Sequence, residues 1–179
     1  MSQSLYRTLK ARYPQAIIDV MAPAWCRPLL SRMPEVNEAI PMPLGHGALE
    51  LGERRKLGHS LREKRYDRAY VLPNSFKSAL VPFFAGIPHR TGWRGEMRYG
   101  LLNDARVLDK AAWPLMVERY VALAYDKGVM RTAKDLPQPL LWPQLQVSEG
   151  EKSLTCSAFS LSDERPMIGF CPGAEFGPA

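Results

Sequence analysis

The sequence predicts an α/β fold, and three observations carry that expectation. Segments of helical period alternate along the chain with short apolar runs. The stretch Tyr70 to Ala85, YVLPNSFKSALVPFFA, reads as strand, tight turn and helix. Ala16 to Ala22, AIIDVMA, is mostly apolar, as a strand buried on both faces should be.

In chain order, Ser2 to Tyr13 is an amphipathic helix with Leu5, Leu9 and Tyr13 in one stripe and Arg7, Lys10 and Arg12 elsewhere. Pro14 ends it, and the Ala16–Ala22 strand follows. A short helix is expected around Cys26 to Met33, then an alternating strand, Val36 to Met42, placed near an edge by Pro41. Leu44 to Gly47 is a turn. Leu49 to Lys64 is a basic helix with a thin stripe of Leu57 and Leu61. Arg55, His59 and Arg62 share a face, and Arg54 to Arg68 holds seven Lys/Arg against Glu63 and Asp67. This helix is either a solvated outer layer or a docking surface for a polyanion. No aromatic residue is interleaved with its charges, which argues against single-stranded nucleic acid.

In the strand–turn–helix, Tyr70, Val71 and Leu72 form the strand and Pro73 stops it. Asn74 and Ser75 are both good N-caps, and Phe76, Leu80, Phe83 and Phe84 recur at helical spacing. In open α/β sheets ligands sit at strand carboxyl ends, where this turn lies. Lys77 falls in the first helical turn, beside backbone N–H groups expected to be free. That combination suits an anion; the alternative is a solvated lysine. Ala85 to Arg90 turns into a short strand around Ile87, kept brief by Pro88. Thr91 to Gly100, TGWRGEMRYG, reads as a loop in which Trp93 and Tyr99 flank Arg94 and Arg98. Arginines there suit phosphate or carboxylate; alternatively they serve only the local acids Glu96 and Asp104.

Pro114 to Lys127 is a helix with proline at its first position and Gly128 past its end. Met116, Val117, Tyr120, Val121 and Ala124 should face a core, with Glu118 and Arg119 off that face. Leu136 to Leu145 holds three prolines and reads as an extended linker. Ser148 to Ala158 is a short helix with a Ser148/Glu151 capping box. Met167 to Cys171 is expected to be a buried strand, released by Pro172 and Gly173.

The 179 residues are 46% hydrophobic and 23% charged, ordinary values for a soluble globular protein. No apolar run is long enough to span a bilayer, and the first residues lack a signal-peptide core, so a cytosolic setting is expected. Cys26, Cys156 and Cys171 have no CxxC spacing and read as buried free thiols, not a zinc site or disulfide. A net charge of +6 favours acidic partners without choosing among phosphates, nucleic acid and an anionic membrane. The opening helix lacks the parallel strand that should precede it, and the last strand leads into a Gly/Pro loop with no helix after it. The expectation is an internal piece of a longer protein.

AIIDVMAPAW, VLPNSFKSAL, RTGWRGEMRYG, PLMVERYVALAYDKG and FCPGAEFGPA together resemble the ADP-heptose-dependent heptosyltransferases of glycosyltransferase family 9. The resemblance covers essentially the whole chain. It implies a GT-B enzyme of two domains. The chain would hold a Rossmann-like N-terminal domain lacking its first strand, plus the first strand of the C-terminal domain. The implied division is 1–135 for the acceptor-binding domain, 136–165 for linker and short helix, and 166–179 for the start of the nucleotide-sugar domain. The implied reaction moves heptose, with inversion, from ADP-L-glycero-D-manno-heptose to the first heptose of the lipopolysaccharide inner core. The acceptor carries Kdo carboxylates and often phosphates.

On this resemblance the catalytic base lies upstream of Met1, so no catalytic residue is assigned and the chain alone should be inactive. Asn74, Ser75, Lys77, Arg94, Arg98, Glu118 and Arg119 match acceptor-side segments. Gly173, Ala174 and Gly177 match a loop approaching the donor diphosphate. No cofactor, metal or nucleic acid is expected. Two other readings stand beside this one: a heptosyltransferase of different acceptor specificity, and a non-catalytic module whose basic helix docks an acidic partner or the inner face of the inner membrane.

Overall fold

The computed structural model describes residues 1–45, 49–161 and 167–170. They fall in two compact units, Met1–Leu145 and Gln146–Ala179. In the first unit five short strands are joined by helices and turns: β1 (Asp19–Ala22), β2 (Glu38–Pro41), β3 (Arg68–Tyr70), β4 (His89–Trp93) and β5 (Asp104–Arg106). Every ladder is parallel. β1 pairs with β2, and β4 lies between β3 and β5. Parallel neighbours need a crossover, which places α2 (Arg27–Leu30) between β1 and β2 and α4 (Leu80–Phe84) between β3 and β4. The α/β expectation therefore holds.

Among the described residues no ladder joins β1 to β3. Their amino ends are nevertheless tied together. Tyr66, just before β3, donates its hydroxyl to Asp19 Oδ2 at 2.5 Å. Burial, and then the Asp19 carboxylate, push the Tyr66 phenol well above its ordinary pKa. Lys64 pairs with Glu38, the first residue of β2, at 2.7 Å. One core takes side chains from both sheets: Val20, Ala22, Tyr70 and Leu72 pack against a cluster that includes Leu5, Leu9, Trp93, Val117, Val121 and Leu123.

α1 (Gln3–Arg12) buries Leu5 and Leu9 as its stripe predicts, but also Gln3, Ser4, Tyr6 and Thr8. Tyr13, the third stripe residue, is exposed and lies just past the helix. Gln3 is used as a clasp: Nε2 donates to Gln144 O at 2.7 Å, and Oε1 accepts from Gln144 N at 3.0 Å. Arg7 Nη1 donates to Trp142 O at 2.5 Å, and Leu136 is buried in the core. The Pro-rich segment is thus bound along the first unit instead of hanging free.

Several expectations need correction. The Ala16–Ala22 strand is ordered as a ladder only from Asp19, and its residues are half-buried. Ile17 is 73% exposed. The Cys26–Met33 helix is a 3-10 turn, Ala24–Cys26, running into the single turn of α2. Cys26 and Cys156 are free thiols but only half-buried, and Cys171 lies outside the described residues.

The basic helix divides into α3 (Leu51–Ser60) and a 3-10 turn, Leu61–Lys64. Its buried residues are Arg54 and Gly58, while Leu57 and Leu61 are only half-buried. Packing distance explains this. A Cβ on Gly58 would lie 2.6 Å from Phe84 Cβ and 2.8 Å from Val81 O, so glycine lets α3 approach α4. Of the Leu44–Gly47 turn, residues 46 and 47 lie outside the described residues.

After Ser75 the chain makes a 3-10 turn, Phe76–Ala79, before α4. Ala79, Leu80 and Val81 are buried, whereas Phe76 and Phe83 are exposed, because the 3-10 turn shifts the helical phase. The stretch assigned to a loop from Thr91 contains most of β4. Strand β5, with sequence DAR, carries no apolar alternation and was not anticipated.

α5 spans only Met116–Ala122. Leu123, Ala124 and Tyr125 continue it with i→i−3 bonds, and Gly128 turns the chain at φ 84°. Met116 is exposed and Glu118 buried, the reverse of the expected faces. In the second unit α6 (Glu149–Ala158) forms with its capping box: Glu151 N donates to Ser148 Oγ at 3.2 Å and Ser148 N to Glu151 Oε2 at 3.0 Å. Residues 167–170 of the expected MIGFC strand form no strand, and Phe170 is 84% exposed. An unpaired apolar run has no ladder partner to hold it.

β5 is held by an ion pair. Arg106 Nη2 meets Asp104 Oδ2 at 2.6 Å, and Nη1 donates to Ala122 O at 2.9 Å, tying the edge strand to α5. Burial raises the Asp104 pKa, but hydrogen bonds and charge from Arg106, with Thr91, outweigh it and hold the carboxyl below its ordinary value. A depressed pKa contributes stability above the unfolded value, about 3.9, that is lost as pH falls through the folded one. Asp104→Asn should cost about 3 kcal/mol at neutral pH, because it leaves Arg106 buried without its counter-charge. Urea unfolding of both proteins should show that difference shrinking below about pH 4; a difference independent of pH would refute the pairing.

Candidate functional site

The carboxyl ends of β3 and β4 carry two segments that grip each other. After β3, Val71 N donates to Thr91 O at 2.8 Å, and the chain then turns through Pro73–Lys77. After β4 it runs through Arg94–Arg98. Glu96 N donates to Asn74 O at 3.2 Å. At Gly95 the backbones nearly touch: a Cβ there would lie 2.3 Å from Asn74 O.

Arg98 closes this junction. Its side chain is 1% exposed. Nη1 donates to Pro73 O at 2.6 Å and to Ser78 Oγ at 3.2 Å. Nη2 donates to Trp93 O and, at 3.4 Å, to Asn74 Oδ1. Nε is buried with no hydrogen-bond partner among the described residues. Burial lowers the guanidinium pKa. From the other side, Arg54 of α3 donates from Nη1 to Lys77 O at 3.4 Å and from Nε to Leu49 O at 2.6 Å. Two buried arginines therefore fix the turn without touching solvent.

The N–H groups expected to be free beside Lys77 are partly taken. Phe76 N donates to Glu96 Oε2 at 2.6 Å, so the chain supplies its own anion at this terminus. Ser78 Oγ donates to Ser75 O at 2.6 Å and tightens the same turn. Asn74 is exposed; Ser75 and Lys77 are half-buried. Arg94 is exposed, and its guanidinium has no hydrogen bond or ion pair among the described residues. Neither Glu96 nor Asp104 engages Arg94: the first holds Phe76 and the second Arg106.

Arg119 is joined to this region through its carbonyl, which accepts from Trp93 Nε1 at 3.0 Å; Glu118 is its neighbour on α5. Their charged groups are otherwise spent. Glu118 Oε2 caps α5 by accepting from Leu115 N at 2.8 Å. Arg119 Nε donates to Trp113 O at 2.7 Å, and Nη2 to Pro114 O at 3.0 Å. Gly173, Ala174 and Gly177 lie outside the described residues. Among the described residues no group of three His, Cys, Asp or Glu could hold a metal ion.

The structure thus brings Asn74, Ser75, Lys77, Arg94 and Arg98 together and gives Arg98, Glu118 and Arg119 internal partners. Sequence reading took Glu96 only as an acid for the loop arginines and gave Gly95 and Arg54 no part in the site, yet all three build it without lining it. What faces outward is a rigid turn with neutral hydrogen-bonding groups and an exposed cation beside it, which suits a polyhydroxyl ligand bearing negative charge.

The parallel ladders, with the joined turns at the carboxyl ends of β3 and β4, define a protein of the parallel α/β class. Residues 54–179 match the model of glycosyltransferase family 9 (heptosyltransferase), and the chain belongs to that family. It is 94% identical over 179 residues to lipopolysaccharide heptosyltransferase 2 of Escherichia coli K12, covering all of this chain and 51% of that protein. It is 60% identical over 183 residues to lipooligosaccharide heptosyltransferase 2 of Haemophilus influenzae, covering 52% of it. The chain therefore spans about half the length of these relatives.

A solved structure of E. coli ADP-heptose lps heptosyltransferase II superposes with a TM-score of 0.88 at 89% identity, over 99% of this chain and 51% of that one. A family 9 glycosyltransferase of Veillonella parvula shares the fold, with a TM-score of 0.73 at 15% identity over 98% of this chain and 50% of that one. No helix among the described residues is long and apolar enough to cross a membrane.

Proposed function

We propose that the chain is the acceptor-binding side of an inverting heptosyltransferase. The reaction is transfer of heptose from ADP-L-glycero-D-manno-heptose to the first heptose of the lipopolysaccharide inner core. The observation that carries this reading is the turn at Asn74–Lys77, locked from within by Arg98 and Arg54 beside the unpartnered Arg94, in a family 9 chain. Residues 1–135 bind the acceptor, 136–165 connect, and 166–179 begin the donor domain, with Gly173, Ala174 and Gly177 near the diphosphate. Asn74, Ser75, Lys77 and Arg94 touch the acceptor. Arg98 positions the turn, Arg119 supports it through Trp93, and Glu118 caps the helix that carries Arg119. The exposed Arg55 of α3 and Arg62 of the turn after it favour peripheral contact with the anionic inner face of the inner membrane.

In a protein of the relatives' full length, Arg94→Ala should raise the acceptor KM about tenfold, the value of one charge-assisted contact, and leave the ADP-sugar KM unchanged. Lys77→Ala should act in the same direction. Steady-state kinetics with each substrate varied in turn provide the check. Unchanged acceptor KM in both variants would remove this turn from the acceptor site.

A further inference from the structure

β1 and β2 end at Ala22 and Pro41, beside a small cleft of about 50 Å³ lined in part by Ala22, Arg27, Leu30 and Ile40. The chain leaving β1 is braced. Pro23 opens a 3-10 turn that Cys26 N closes onto Pro23 O at 2.9 Å, and Pro28 follows in the first turn of α2. Prolines on both flanks restrict the backbone of this turn. At its centre, between cleft residues Ala24 and Arg27, stands Trp25, 77% exposed. Arg27 is also exposed, and its side chain makes no hydrogen bond or ion pair among the described residues.

The placement of this pair matters as much as its exposure. The amino ends of β1, β2 and β3 are tied by Tyr66–Asp19 and Lys64–Glu38. The ladders are parallel and share one core, so the carboxyl ends gather at the opposite end. That puts the Trp25 turn and the Asn74–Lys77 turn at the same end of the lobe. An exposed indole at a strand end presents a flat face with negative π density. The face of a pyranose ring carries C–H bonds of the opposite polarity. A guanidinium two residues away adds a planar fork for a carboxylate or phosphate.

We propose that Trp25 and Arg27 form a second saccharide subsite: the indole stacks on the face of an acidic sugar ring while Arg27 pairs with its anionic group. The subsite rests on the acceptor-binding reading above and extends it from one sugar to a longer stretch of the acceptor.

The test uses a protein of the relatives' full length, with the inner-core acceptor in its natural acidic form and with its carboxylates methyl-esterified. Trp25→Ala should raise the acceptor KM about tenfold, Trp25→Phe much less, with the ADP-sugar KM and the melting temperature unchanged. Arg27→Ala should weaken use of the acidic acceptor and have little further effect on the esterified one. Unchanged acceptor KM in both Trp25→Ala and Arg27→Ala overturns the subsite while an active parent enzyme leaves the acceptor reading standing. A parent enzyme that transfers no heptose removes that reading, and the subsite with it.

Discussion

Arg98→Met is expected to lower use of the acceptor about a hundredfold in kcat/KM, the scale set by misplacing a binding element by about an ångström. Two effects compete in its stability. Burying a guanidinium is costly, and methionine removes that cost. Against this, the carbonyls of Pro73 and Trp93 and the Asn74 amide lose their donor in a place where water does not reach Arg98. The lost hydrogen bonds win, and a net destabilisation of about 2 kcal/mol is expected. Arg98→Lys should recover little, because one ammonium cannot reproduce the fork that spans Pro73, Asn74 and Trp93. Urea unfolding and acceptor kinetics on the same preparations give both numbers. Normal acceptor KM with intact stability would mean that the turn holds itself.

Gly95→Ala should be comparably severe for function and milder for stability. Its methyl group would sit 2.3 Å from Asn74 O and 2.8 Å from Asn74 Cβ, closer than atoms tolerate. Backbone must move, and the segment with freedom to do so is the Pro73–Lys77 turn or the Arg94–Arg98 segment, both at the site. Overpacking of this kind costs about 1–3 kcal/mol, and the displacement should lower kcat/KM for the acceptor about a hundredfold. Steady-state assays at saturating ADP-sugar read it directly. A variant within about twofold of the parent would show that the close approach can be relieved without disturbing the turn.

The parts of this fold legible in the sequence were those whose signal is local. The α/β alternation and the Ser148/Glu151 box depend on residues a few positions apart, and both are found; the strand–turn–helix at Tyr70–Ala85 is found in outline, with its strand at Arg68–Tyr70 and no side-chain cap from Ser75. What was not legible depends on distant partners. Strand β5 is three residues, DAR, and becomes a strand only because β4 runs beside it. Arg54 sits in a run of seven basic residues and reads as solvated, yet it is buried against the Lys77 carbonyl, 23 positions away. Asn74, Ser75, Lys77, Arg94 and Arg98 do lie together at the ends of β3 and β4. Their roles were not visible, because a reading by residue type cannot tell an arginine that faces a ligand, Arg94, from one that faces carbonyls, Arg98. The exposure of Trp25 is likewise a property of the folded chain, which residue type alone does not show.

The Glu96 carboxylate on the Phe76 amide bears on selectivity. A positive helix terminus left open would capture any small anion, inorganic phosphate and free nucleotide included. With that seat filled from within the chain, a phosphate brought to about 4 Å of Glu96 meets repulsion on the order of 4 kcal/mol at an effective dielectric of 20. On the acceptor-binding proposal, the turn would sort a ligand by the layout of its charges, with hydroxyl-bearing portions at Asn74 and Ser75 and acidic substituents outward toward Arg94. By the same proposal, small metabolite anions would meet the Glu96 charge as an electrostatic sieve.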